Sequence, residues 1–368
     1  MNIKHVAIVS TILTSLAGVA SADDMESAYV RTDLVANRAG VSANPKVSID
    51  PNLVNPWGIS FGGGPVWLTN NGTSTSTLYD GNGKVIPLVV KTPSDPTGIV
   101  WNAYAKDFLV PTGRAIPSDK AASSFIFAGE SGSISAWSGA FQDNTKAVTV
   151  WSAPNAVYKG LAIAYNGTGA FLYATDFKGG RIDVYDKSFK PVPLDGKTLT
   201  CKFEDPELPV GYAPFGIQAV GGDIVVTYAF QADTEGNEAH GAGLGRVNIF
   251  TANGCLVRHL RDDGRLNAPW GVALAPASFG KHGGKLLIGN FGSGSIATFD
   301  VRSGKYEGSL KTTDGQGIVI DGLWGISFGN GFSSQLGNTL FFAAGPNYEA
   351  DGLYGKIVSM PELESMNE

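Results

Sequence analysis

A glycine-centred motif opens an apolar strand six times along this 368-residue chain, and no other feature narrows the choice of fold as far. The sharpest copies read NPWGIS from Asn55, APWGVA from Ala268 and GLWGIS from Gly322. Looser copies are DPTGIV from Asp95, YKGLAIA from Tyr158 and APFGIQ from Ala213. The shared glycines, Gly58, Gly98, Gly160, Gly216, Gly271 and Gly325, are spaced by 40, 62, 56, 55 and 54 residues. A period in this range, with strand-like content throughout, belongs to four-stranded units that close into a ring, a β-propeller.

Each unit follows one grammar: a glycine-led inner strand, a second apolar strand, a polar tip, a third alternating strand, a tight turn and an outer strand. The DGNG turn at Asp80–Gly83 is a strong hairpin signal inside the first unit. The third unit predicts strands at Leu161–Ala164, Phe171–Thr175, Arg181–Tyr185 and Pro191–Leu194. The sixth has only three strands before the chain nearly ends, and the orphan segment Tyr29–Ala36 (YVRTDLVA) is expected to supply the fourth. Pairing the two ends closes the ring and removes an exposed sheet edge. The expectation is therefore an all-β, six-bladed propeller of four-stranded blades over residues 23–360, seven blades being the alternative count. The blades fall at 55–94, 95–157, 158–205, 206–263, 264–312 and 313–360 plus strand 29–36, with a polar tail at 361–368. Trp57, Trp270 and Trp324 each stand just before an inner strand and are expected to wedge between blades near the channel mouth.

The first 22 residues have the pattern of a secretory leader. Lys4 and His5 precede an apolar run from Val6 to Val19, and Ala20-Ser21-Ala22 offers a small-residue cleavage site. The run is shorter than the about 20 apolar residues a membrane span needs, so no span is expected after cleavage. The expected location is secreted or periplasmic, and the expected state a monomer. A hydrophobic fraction of 43% argues against disorder. With a net charge of −6 and no Lys/Arg run, nucleic acid is not an expected partner, because neutralising phosphates takes clustered cations. Two cysteines, Cys201 and Cys255, are expected to pair in an oxidising compartment, two unpaired thiols being the alternative.

Several segments together resemble a known family: NPWGIS, LNAPWGVALAPASFG from Leu266, IGNFGSGSI, IDGLWGISFGNG and AAGPNYEADGLYG. They are similar to a family of secreted bacterial proteins, often found with a C-terminal exosortase-type sorting tail, which this chain lacks. The resemblance implies a six-bladed propeller and implies no activity.

In a propeller the loops before the first strands and those between second and third strands emerge on one face, where function usually collects. Before the first strands come Asn55, Asp95, Lys159, Tyr212, Asn267 and Asp321, and after second strands Glu130, Asp176, Asn290 and Asn347 with Glu349. Asn55, Asp95, Lys159, Tyr212, Asn267, Asn347 and Glu349 are the expected ligand-binding positions. Glu130, Asp176, Asn290 and Asp321 are oxygen donors of the kind that hold Ca²⁺ or Mg²⁺, by analogy with calcium-dependent six-bladed lactonases and phosphotriesterases. The alternative is that such Asn and Asp residues only bond their own turns. The insertion Gln231–Gly245, acidic and glycine-rich, is either a lid over the channel or a solvated loop. It carries His240, a candidate general base. Gly58–Gly62 and Gly325–Gly329 match G-x-S-x-G, but a nucleophile elbow needs a strand-to-helix turn, and Ser60 and Ser327 lie inside inner strands. Two functions follow as expectations. One is a scaffold binding a small molecule, glycan or extracellular protein through the channel mouth. The other is a divalent-metal-dependent hydrolase or lyase, lactonase- or esterase-like, working at the channel centre.

Overall fold

The computed structural model describes residues 28–93, 95–114, 119–261 and 263–360. The segment expected to be a leader, 1–22, and the tail expected at 361–368 lie outside the described residues. Six antiparallel sheets surround one axis. Blade one is Pro56–Phe61, Val66–Asn70, Thr75–Tyr79 and Val85–Lys91, in spatial order. Blade two is Pro96–Trp101, Phe125–Gly129, Ser133–Trp137 and Val148–Ser152. Blade four is Tyr212–Val220, Asp223–Gln231, Gly245–Thr251 and Leu256–His259. Blade five is Pro269–Leu274, Leu286–Asn290, Ile296–Phe299 and Tyr306–Ser309.

Blade six joins the chain ends. Leu323–Phe328, Leu340–Ala344 and Leu353–Ser359 are completed by Tyr29–Ala36, which runs antiparallel to Leu353–Ser359 from Tyr29↔Ser359 to Ala36↔Leu353. The short strand Ser48–Ile49 then pairs parallel to it on the outside. Such closure leaves no sheet edge at the seam.

Blade three departs from expectation. Tyr158–Tyr165, Ala170–Asp176 and Arg181–Tyr185 form a three-stranded sheet. The expected outer strand Pro191–Leu194 is reduced to one bridge, Tyr185↔Pro191, and one hydrogen bond from Val192 N to Val184 O. Pro191 and Pro193 have no N–H to give, so alternate ladder bonds cannot form.

The six motif glycines explain how closely the blades approach. A Cβ on Gly58 would stand 2.6 Å from Thr97 O, on Gly98 2.3 Å from Leu161 N, and on Gly160 3.0 Å from Phe215 O. On Gly216 it would stand 2.1 Å from Trp270 O, on Gly271 2.5 Å from Trp324 O and on Gly325 2.5 Å from Trp57 O. Each glycine abuts the next blade's inner strand, and the sixth returns to the first. Only a residue without a side chain permits that contact. Threonine hydroxyls add bonds across the same seams, from Thr97 Oγ1 to Tyr158 O at 2.8 Å and Thr175 Oγ1 to Phe215 O at 2.7 Å.

At each motif the pairing of first with second strand slips. Bulges of this kind re-aim side chains. Here they accompany a set of residues that meet at the axis, one position before each glycine: Trp57, Thr97, Lys159, Phe215, Trp270 and Trp324. Trp57 stacks on Trp324 with ring centroids 3.5 Å apart and meets Trp270 edge-on at 6.1 Å, while Trp270 Nε1 reaches across to Lys159 O at 3.0 Å. The three tryptophans therefore plug the upper end of the channel rather than wedge between blades. Below the plug, inner-strand residues including Ser60, Ile99, Trp101, Gln218 and Ser327 line a cavity of about 200 Å³ at the opposite mouth. Among the described residues no helix is long and apolar enough to cross a membrane.

Candidate functional site

First strands begin, and second strands end, on the plugged face, as the pairs Pro56↔Asn70, Tyr158↔Asp176 and Pro269↔Asn290 show. At its centre lies Lys159, whose side chain is only 4% exposed. Its Nζ stands 2.8 Å from Glu130 Oε1 and 3.6 Å from Glu238 Oε2. The rings of Trp57, Phe177 and Phe215 surround it at 5.1, 5.9 and 6.0 Å, close enough for their negative faces to attract the ammonium. Burial alone would lower the Lys159 pKa, but the carboxylates of Glu238, Glu130 and Glu349 outweigh it and hold the amine above its ordinary value. It stays charged.

Glu238 comes from the insertion. Glu238–Ala239 pairs back onto the second strand of blade four through Gln231↔Glu238 and Phe230↔Ala239, so the insertion begins as a short hairpin whose tip, residues 232–235, is exposed to solvent. The hairpin delivers two groups. Burial pushes the Glu238 carboxyl up, yet His240 and Lys159 more than reverse this and hold it low. His240 Nε2 stands 3.7 Å from Glu238 Oε1, which raises the imidazole above its ordinary value against the lesser effect of burial. The His240 ring also meets Phe291 edge-on at 5.0 Å, and Phe291 stacks on Trp324 at 3.8 Å.

A polar chain runs round the rim from Glu130 to Glu349. Asn71 Nδ2 donates to Glu130 Oε2 at 2.9 Å, and Asn55 Nδ2 reaches Asn71 Oδ1 at 3.5 Å and Glu349 Oε2 at 2.6 Å. Asn55 Oδ1 takes the indole N–H of Trp324 at 3.1 Å, which fixes the amide's orientation. Gly345 makes room for that amide, since a Cβ there would stand 2.2 Å from Asn55 Oδ1. Burial raises the Glu349 carboxyl; the Asn55 bond opposes the rise, and the charge on Glu238 adds to it. Asn347, Tyr348 and Glu349 are three successive residues with φ of 60°, 54° and 66°. Non-glycine backbone in this region is strained and gathers at functional sites. His240, Phe291, Asp321, Asn347, Tyr348 and Glu349 enclose a cleft of about 420 Å³.

Sequence comparison finds relatives in Acanthamoeba polyphaga mimivirus. Uncharacterized protein R648 is 32% identical over 338 residues, covering 88% of this chain and 78% of its own length. Uncharacterized protein L690 is 30% identical over 338 residues, covering 88% and 84%. The chain belongs to their family. This corrects the resemblance to a secreted bacterial family, because the relatives found are viral and span nearly the whole propeller. No family model matches. Among solved structures, a Bacteroides thetaiotaomicron protein of unknown function superposes with TM-score 0.50 at 12% identity, over 90% of this chain and 76% of that one, a likeness of fold alone. Virginiamycin B lyase from Staphylococcus aureus gives TM-score 0.49 at 14% identity, over 90% of this chain and 99% of that one.

The fold gathers some expected site residues and scatters others. Asn55, Lys159, Glu130 and Glu349 share one network, and Asp321 and Asn347 meet at the cleft, where Asn347 N donates to Asp321 Oδ2 at 2.8 Å. Asn267 Oδ1 accepts from Gly241 N at 2.8 Å and Tyr212 Oη donates to Gly243 O at 2.9 Å, so both pin the hairpin that carries His240. Asp95 is exposed, and its carbonyl takes the Glu130 N–H at 3.2 Å. Asp176 accepts from the N–H groups of Val157 and Gly179 and pairs with Arg181 at 2.8 Å, its carboxyl pushed up by burial. Asn290 accepts from Asn267 N at 3.0 Å and donates to Ser295. Glu130, Asp176, Asn290 and Asp321 are thus engaged with separate partners and do not form one ligand set. Among the described residues no three His, Cys, Asp or Glu side chains are grouped to hold a metal ion. Cys201 and Cys255, 54 positions apart, are joined in a disulfide.

Glu238 escaped the sequence argument because it lies in an insertion with no counterpart in other blades. Lys159 carried a usable signal: it is the one charged residue at a repeat position otherwise filled by Trp, Phe or Thr.

Proposed function

We propose that this propeller is a binding scaffold, taking a small molecule into the cleft bounded by His240, Phe291, Asp321, Asn347, Tyr348 and Glu349. One observation carries this reading: a charged lysine, 4% exposed, is held among Glu130, Glu238 and three aromatic rings beside the opening. Buried ion pairs rarely stabilise a fold better than apolar residues of the same size. Perturbed, desolvated charges beside a concavity are a signature of functional sites. The leader at residues 1–22 and the disulfide together support export to an oxidising compartment as the setting. The test is a thermal-shift and calorimetric screen of small molecules, glycans and candidate proteins on wild type and Glu349→Gln. Small molecules whose binding weakens in Glu349→Gln support the cleft. A hit list unaffected by changes at Glu349 and Tyr348 overturns it.

A second reading, a hydrolase or lyase at the same cleft, is favoured by Glu349 and His240 lining it together, both with pKa above their ordinary values. Such a pair suits proton transfer near neutral pH. Lactone, ester and phosphotriester panels, run with and without Ca²⁺ or Mg²⁺, test it; turnover lost in both Glu349→Gln and His240→Gln supports it, and no turnover sets it aside.

A further inference from the structure

We infer that the ligand of this cleft is an organic cation, a quaternary or protonated amine, caught between the Glu349 and Asp321 carboxylates and the Phe291 and Tyr348 rings. The inference rests on the binding reading above and adds the class of ligand.

The charge around the cleft is lopsided. Four carboxylates, Glu130, Glu238, Glu349 and Asp321, belong to the network and the cleft, against one ammonium, Lys159, and one imidazole, His240. The ammonium is already committed to Glu130 and Glu238. Whether or not His240 is protonated, negative charge remains in excess. Low-dielectric walls strengthen the field of such a surplus. Burial raises the Glu349 carboxyl, the Asn55 bond and Lys159 oppose this, and the charges on Glu238 and Glu130 add to it.

The surface presented with that charge suits an organic cation better than a metal ion. Hard metal ions ask for six or more converging oxygens, whereas the Asp321 and Glu349 carboxylates already accept from Asn347 N and Asn55 Nδ2. The remaining walls are the Phe291 and Tyr348 rings, the His240 imidazole turned toward Glu238, Asn347, and the backbone of Gly292, Gly322 and Gly345. A bulky, weakly hydrated ammonium is satisfied by ring faces and one carboxylate at modest range. The same molecule already solves this problem once, a few residues away, where Lys159 sits among Trp57, Phe177 and Phe215. Tyr348 stands at the cleft's edge with its ring fully exposed and so accessible to a ligand.

Calorimetry on the full protein at pH 8 with choline, benzyltrimethylammonium and the uncharged choline isostere 3,3-dimethylbutan-1-ol tests the inference. The expected result is millimolar or tighter binding of the cations and at least tenfold weaker binding of the alcohol. Glu349→Gln should lose at least tenfold. Tyr348→Ala, at a fully exposed position that folding does not depend on, should lose several-fold, and Tyr348→Phe should keep affinity. Equal binding of the alcohol, or binding of a neutral glycoside that is weakened by Tyr348→Ala, overturns the cation and leaves the cleft a binding site. Cation binding indifferent to both Glu349→Gln and Tyr348→Ala overturns the inference, as does failure of both cations to bind. Failure of every charged and neutral probe sinks the binding reading with it.

Discussion

Lys159 Nζ lies 2.8 Å from Glu130 Oε1, and the strand position it occupies is filled in other blades by Trp57, Thr97, Phe215, Trp270 and Trp324. The ion pair therefore stands where four of the other five blades place an aromatic ring. Lys159→Met leaves Glu238, 10% exposed, with the half-exposed His240 at 3.7 Å in place of its buried ammonium. Removing one partner from a buried pair costs about 3–5 kcal/mol, because the other charge is stranded. Urea unfolding should show a loss of that order for Lys159→Met. Lys159→Met combined with Glu238→Gln should recover part of it, since no buried charge is then left alone. A Lys159→Met protein as stable as wild type would mean that water reaches Glu238 and that the site is open to solvent.

Gly98 sets a second test. A Cβ there would stand 2.3 Å from Leu161 N, backbone against backbone, with no flexible side chain to yield. Overpacking of ordinary cores costs about 1–3 kcal/mol, and this contact is less forgiving. Gly98→Ala should lose roughly 3 kcal/mol or give no soluble protein. Gly63→Ala, where nothing lies within 4 Å, should change stability by less than about 0.5 kcal/mol. Thermal unfolding of the two variants side by side separates a steric seam from a general intolerance of change.

The Cys201–Cys255 bond ties residues before blade four to its outer strand and closes a loop of 54 positions. In the chain-entropy treatment, a loop of this size restrains the unfolded chain by about 4 kcal/mol. The paired change Cys201→Ser with Cys255→Ser should lower stability by up to that amount while leaving the cleft intact, since neither residue touches it. Chemical denaturation of the double variant, compared with the oxidised parent, reads the difference. Equal stability would show that unfolded chains with and without the bond are equally restricted.

The ring was readable because its physical demand repeats. Each inner strand must touch the next, only glycine allows it, and so Gly58, Gly98, Gly160, Gly216, Gly271 and Gly325 stand out at regular spacing. The closing strand Tyr29–Ala36 was readable because the sixth unit has only three strands of its own and the segment before the first unit offers a fourth. What the repeat could not tell was which polar residues look outward. Asp176 and Asn290 sit level with Gly129, one position before Glu130 in the blade register, and spend their oxygens on nearby backbone and Arg181. The outer strand of blade three was lost to Pro191 and Pro193, a local veto that apolar patterning overlooked. Glu238 and the left-handed run at Asn347–Glu349 belong to single loops, so no periodic signal marked them.

A final prediction concerns acid. His282 is buried beside the closing strand: its ring stacks on Tyr29 at 5.8 Å, and its backbone N–H donates to Tyr29 Oη at 3.0 Å. Burial, helped by the charge on Lys281, brings its pKa from 6.5 down to about 4, with Lys285 acting in the same direction and Glu307 opposing. Between those values the unfolded chain binds a proton that the folded chain refuses. Stability therefore falls as pH drops through this window, and the loss from this residue amounts to roughly 3 kcal/mol once pH is below the folded value. His282→Phe keeps a ring for Tyr29 to stack on and removes the proton site. Unfolding free energy measured from pH 7 to pH 4 should fall less steeply in His282→Phe than in wild type, with the difference confined to that interval. Parallel curves would show that the imidazole finds water or a carboxylate when it charges, and that the seam between the chain ends is indifferent to acid.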